Sequence, residues 1–90
     1  MITQEAVRSH LAQLIAQAMY MEVSEIVETE LFSNFGLESV TLAKIVAKIN
    51  QEYHAAILPR DVLKHQTLRD ASGFIFQQLS SQTQQQGEMR

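Results

Sequence analysis

The sequence predicts a small all-α fold: a four-helix bundle of three longer helices and one short one, with a long loop between helices 1 and 2. Three observations carry this. Apolar residues recur at helical spacing in three separate stretches. Only three Gly and one Pro interrupt 90 residues. Between the first two periodic stretches, residues 21–38 keep no sustained period yet hold many apolar side chains.

The first helix is expected from Gln4 to Tyr20, with Val7, Leu11, Leu14, Ile15, Ala18 and Met19 on one face. Thr3 is a good N-cap, and Ile2 with Val7 has the spacing of a hydrophobic staple. The stretch that follows contains Val23, Ile26, Val27, Leu31, Phe32, Phe35 and Leu37, more than a solvated linker would carry. It therefore reads as a loop pinned over the core, with a short turn at Ser24–Val27. Loops of this length in compact domains are often functional.

The second helix starts near Ser39, where Leu42, Ile45, Val46, Ile49 and Tyr53 share a face and Lys44, Lys48 and Gln51 lie on another. Pro59 is tolerated in the first turn of a helix and disfavoured inside one. It marks a short third helix, Pro59–Lys64, with Val62 and Leu63 inward. Thr67-Leu-Arg-Asp70 resembles a capping box with Asp70 in the reciprocal role usually taken by Glu or Gln. It opens a fourth helix to about Leu79, burying Leu68, Ala71, Ser72, Ile75 and Leu79, with Phe74 and Phe76 at its edges. The polar ending SSQTQQQGEMR has no apolar period, so residues 1–80 are expected to form the domain and 81–90 a disordered tail.

Composition narrows the function. A hydrophobic content of 46% suits one folded domain. The absence of Cys excludes disulfides and thiolate zinc sites. No apolar run approaches the roughly 20 residues of a membrane span, and MITQEAVRSHL lacks the basic start and apolar centre of a secretory signal. A cytoplasmic protein with no membrane partner is expected. Net charge −3 argues against general nucleic-acid binding, which draws on many Lys and Arg contacts to phosphate. The charge is uneven: five acids and no base from Met21 to Glu38, then five bases against Glu52 and Asp61 from Ser39 to Arg69. Those bases form either an ordinary solvated surface or a patch facing a partner.

Ser39, in FSNFGLESVTL, is the residue that asks for a chemical reading. A serine nucleophile needs a base and a group to orient it, and His10, His54 and His65 have no sequence relation to it. No histidine pair has zinc-ligand spacing, the loop acids lack a calcium pattern, and there is no phosphate-binding glycine motif. A hydrolase is disfavoured. Two readings of Ser39 remain open on the residues alone. One is an ordinary N-cap. The other is a modification site: Gly36 permits a sharp turn, Phe35 and Leu37 anchor it, and the helix N-terminus favours a phosphate ester.

The order of motifs, LFSNFGLESVTLAKIVAKINQEY followed by a Pro-led helix and HQTLRDASGFIFQQL, resembles the acyl carrier protein and peptidyl carrier family over about residues 3–79. FGLESV is similar to that family's Gly-x-Asp-Ser signature, and LFSNFGLES to its polyketide synthase context. The resemblance implies that Ser39 is the attachment point of 4′-phosphopantetheine, with Gly36, Leu37, Glu38 and Val40 around it. A phosphopantetheinyl transferase would supply the group from coenzyme A, and its thiol would carry acyl chains as thioesters between acyltransferase, ketosynthase or other synthase enzymes. Val40, Lys44 and Arg60 become candidates for partner contact. The protein would be a monomer and not itself an enzyme. An acyl chain could shelter among Val46, Ile57, Leu63 and Ile75, which otherwise are plain core.

Two departures matter. Glu38 stands where Asp dominates, and the second helix presents Thr41, Lys44, Lys48, Asn50 and Gln51 where fatty acid synthesis carriers are usually acidic. Basic partners would dock poorly on it. Polyketide or mixed polyketide/non-ribosomal peptide biosynthesis is therefore the expectation. The alternatives are a fatty acid synthesis carrier, or a non-covalent helical docking domain with Ser39 as a helix cap only.

Overall fold

The structure is a computed structural model that describes residues 2–88, with side chains described through Ser81. Four α-helices appear in the expected order: α1 Gln4–Met19, α2 Ser39–Tyr53, α3 Pro59–Val62 and α4 Leu68–Glu88. Thr3 caps α1 through its side-chain oxygen, which accepts from the Ala6 N–H at 3.1 Å, and Ile2 packs against the core. α1 stops at Met19, one residue early, because Tyr20 takes the left-handed conformation (φ 56°) and sends its N–H to the Ala16 carbonyl. Val7, Leu11 and Ile15 are fully buried as expected. Ala18 is exposed, whereas Ala12 and Ala16 are buried. α1 packs most extensively on α4, and that approach, which one helix's period does not encode, decides which alanines are covered.

The loop is pinned, and it is more ordered than its sequence suggests. A 3-10 turn at Val23–Glu25 is closed by a capping box between Glu22 and Glu25. A second 3-10 turn, Phe32–Phe35, has no counterpart in the sequence reading. The loop is tied to the start of α4 by the backbone: the Phe32 N–H donates to Gln66 O at 2.7 Å and the Arg69 N–H to Glu28 O at 2.9 Å. Leu31 and Thr67 form an antiparallel bridge, and Arg69 Nε lies 3.4 Å from Glu28 Oε1. Phe32 and Leu37 are buried, and Ile26 and Phe35 pack on the core. Val23, Val27 and Leu31 are exposed, so only part of the apolar content of the loop does the pinning.

On α2, Leu42, Ile45, Val46 and Ile49 enter the core as read. α3 is shorter than Pro59–Lys64: after Val62 the chain closes with i→i−3 bonds from Lys64 to Asp61 and from His65 to Val62, a turn rather than a helix. Thr67 caps α4 through the Asp70 N–H at 3.1 Å. Asp70 returns no side-chain bond to Thr67, since it is one methylene shorter than the Glu of a full capping box. Leu68, Ala71, Ser72, Ile75 and Leu79 are buried. Buried Ser72 is satisfied by donating to Arg69 O at 3.1 Å. The backbone of α4 continues past the expected end near Leu79 to Glu88, through a Gln-rich stretch that holds no apolar residue. The expectation of a disordered tail over 81–90 falls mostly outside the residues whose side chains are described.

Away from the loop, α1 and α2 are joined by a polar cluster. His10 Nδ1 lies 3.2 Å from the Tyr53 hydroxyl and His10 Nε2 lies 2.7 Å from Glu52 Oε1. Burial, and then the charge of Glu52, push the Tyr53 phenol above its usual pKa of 10.0. The folded state therefore prefers the protonated phenol. That stability is present below the unfolded pKa and is lost as pH rises through the higher folded value. The stability difference between wild type and Tyr53→Phe is expected to shrink as pH rises past about 10. Urea midpoints taken from neutral to alkaline pH check this, and a constant difference would contradict it.

Candidate functional site

The corner before α2 is built from the loop upward. Phe32 is buried at 1% exposure and meets Phe35 edge-on, with ring centroids 6.1 Å apart at 87°. Its carbonyl accepts the Leu37 N–H at 3.1 Å, and Leu37 is itself buried. Between them Gly36 adopts φ 83°. A side chain there would meet only Met19 Cε at 3.7 Å, so the demand for glycine comes from the backbone and not from space. Gly36→Ala is expected to cost about 1 kcal/mol, and Gly36→Val more because of its branched Cβ. Urea unfolding measures both.

Glu38 is extended (φ −95°, ψ 166°) and is the N-cap residue of α2; its carbonyl accepts the Leu42 N–H at 2.9 Å. Ser39 is thus the first helical residue, not the cap. Glu38 makes no side-chain capping bond, and among the described residues the Ser39 hydroxyl has no hydrogen-bond partner. The reading of Ser39 as a helix cap only is corrected by this geometry: a cap needs extended backbone and a side chain folded onto the first turn. Ser39 is exposed, at a helix end whose first N–H groups meet no side-chain acceptor.

Val40, the next residue, is 65% exposed, and Lys44 on α2 and Arg60 on α3 are exposed as well. Leu58, the N-cap residue of α3, adds a half-exposed apolar side chain that the sequence reading passed over. Its signal was local: an apolar residue placed directly before a helix-opening Pro. The histidines are elsewhere. His10 is held by Tyr53 and Glu52, His65 stacks on Phe74 at 4.8 Å, and His54 caps the far end of α2. Among the described residues no acid, His or Cys cluster fits a metal ion, and no helix is long and apolar enough to cross a membrane. Val46, Ile57 and Ile75 are members of the packed core, with Leu63 against it.

The site is thus a small helical bundle that presents an exposed serine hydroxyl at the start of a helix. The chain belongs to the phosphopantetheine attachment site family, which it matches over residues 9–75. It is similar to polyketide synthase PksL of Bacillus subtilis (strain 168), with 31% identity over 81 residues, 90% of this chain. The chain spans about 2% of the length of that relative. In structure it is similar to the HMG-ACPI domain from the CurA module of Lyngbya majuscula, solved by NMR. The TM-score is 0.77 and the identity 34%, covering 90% of this chain and 82% of that one. The resemblance read from the motifs, and the all-α fold, are borne out. This is a carrier protein domain, and the group its family bears is covalent 4′-phosphopantetheine.

The corner fits such a group. An exposed hydroxyl would offer an attachment atom, the first N–H groups and the positive end of α2 would favour a phosphodiester, and the exposed surroundings would leave room for a long arm.

Proposed function

We propose that Ser39 is the attachment residue and that the chain shuttles thioester-bound acyl intermediates between synthase enzymes, in polyketide or mixed polyketide/non-ribosomal peptide biosynthesis. The carrying observation is the Ser39 hydroxyl, exposed and without a hydrogen-bond partner among the described residues, at the first position of α2 inside the matched family span. A phosphopantetheinyl transferase supplies the base that Ser39 lacks: it takes the hydroxyl proton as the Ser39 oxygen bonds to the phosphopantetheine phosphorus of coenzyme A, the pyrophosphate bond breaks and adenosine 3′,5′-bisphosphate leaves. When bound, the arm contributes a thiol that holds cargo as a thioester. Gly36 and Leu37 shape the corner. Glu38 sets its local charge and, one methylene longer than Asp, influences which transferase accepts it.

Val40, Lys44 and Arg60 contact the partners. An α2 face bearing Lys44 and Lys48 suits enzymes with acidic rims, such as a dedicated acyltransferase or ketosynthase, and repels basic ones. That charge is what favours a specialised pathway over fatty acid synthesis. On this reading the carrier unit is residues 1–80, monomeric, cytoplasmic and without catalysis of its own. Incubation with coenzyme A and a broad-specificity transferase tests it: intact mass should rise by one phosphopantetheine, and fragmentation should map it to Ser39. An unchanged mass, or a label elsewhere, overturns the reading.

A further inference from the structure

Asn50 lies in the last turn of α2, where asparagine is a poor helix former. Its side chain turns back onto the chain that follows. Nδ2 donates to Ile57 O at 2.8 Å, and the Ile57 N–H donates to Oδ1 at 2.8 Å. Its own carbonyl accepts from the His54 and Ala55 N–H groups, the latter at 2.9 Å. One residue therefore closes the whole turn from α2 toward α3. Ile57 is buried, and only a side chain with a donor and an acceptor at this reach serves both of its backbone groups. Immediately beyond the clamp come Leu58 and Arg60, both exposed. α3 has four residues, too few to hold its own position.

We propose that Asn50 is a positioning residue for partner recognition: its amide clamp on Ile57 holds Leu58 and Arg60 in one preorganised surface with Val40 and Lys44, read first by the transferase that loads Ser39. This rests on the reading of Ser39 as the attachment residue. A surface already in place avoids an ordering cost at each encounter, so loss of the clamp is felt in binding and not in chemistry at Ser39.

The test is transferase kinetics on the unloaded protein. Asn50→Asp keeps the size and the acceptor for the Ile57 N–H but turns a carboxylate oxygen onto the Ile57 carbonyl. The KM for the carrier should rise roughly ten-fold with kcat unchanged, and amide chemical shifts should move over 54–62 while those of 36–40 stay. Ile15→Val, a buried change outside this surface, should lower stability and leave KM alone. Leu58→Ser, which spares the clamp, should raise KM by itself and add nothing in the Asn50→Asp background. Unchanged KM in Asn50→Asp or Leu58→Ser, an equal rise in Ile15→Val, or additive effects overturn the proposal. If wild type takes no label at all, the Ser39 reading has failed, a different result from a loaded wild type with an indifferent variant.

Discussion

Ser39→Ala is expected to stay folded and to accept no phosphopantetheine under conditions that load the wild type completely. Loss should be total, because the transferred group needs the hydroxyl oxygen and no neighbouring side chain can stand in for it. Thr41, two residues on in the same turn, is partly covered and sits about 200° around the helix from Ser39. The stability result is as informative as the mass. A serine that capped α2 would cost about 1 kcal/mol on truncation. Here the hydroxyl has no hydrogen-bond partner among the described residues and Glu38 occupies the cap position, so the urea midpoint should be close to wild type. Loss of labelling with unchanged stability separates a modification site from a structural one. A variant that still gains the group, or that loses stability by a full cap's worth, contradicts the geometry described above.

Phe32→Ala should give the largest loss of stability. Among the described residues Phe32 is the largest fully buried side chain, and the corner is organised around it. Its N–H reaches Gln66 O, its carbonyl holds the Leu37 N–H, and its ring meets Phe35 edge-on. Removing the ring costs about 3–5 kcal/mol, against a total of about 5–15 kcal/mol for a typical domain, with small domains toward the low end. Urea unfolding should therefore show a strongly lowered midpoint or a partly unfolded protein. Where the variant still folds, loading at Ser39 should slow, since Gly36 and Leu37 lose the anchor that sets the turn. A midpoint near wild type would mean that the loop is held by its backbone ties to α4 alone.

Both expectations depend on features that differ in how far they can be read from residues in order. Caps were legible at Thr3 and Thr67 because a cap is a contract between neighbours three positions apart. The core faces of α2 and α4 were legible because their period is local too. Asp70 illustrates the limit of pattern: the spacing of a capping box was present, but the side chain was too short to complete it. The Phe32–Phe35 turn was hidden for another reason. It exists where backbone groups of residues 28 and 32 meet those of 66 and 69, partners more than thirty positions away. Asn50 left a faint signal, a poor helix former inside a helix, yet its partner Ile57 emerges only when the chain reverses.

By itself the sequence determined the helical elements, their order, the serine between a glycine turn and an amphipathic helix, and the unusual basic character of the second helix. Those are consequences of residue type and short spacing, which act before the chain is packed. Only the tertiary structure decided that Ser39 stands after the cap and not in it, that the loop is fastened to α4, and that one asparagine closes the turn leading to α3. Each of these depends on which backbone groups find partners across the fold, and a buried or exposed hydroxyl is settled by that pairing, not by its neighbours in sequence.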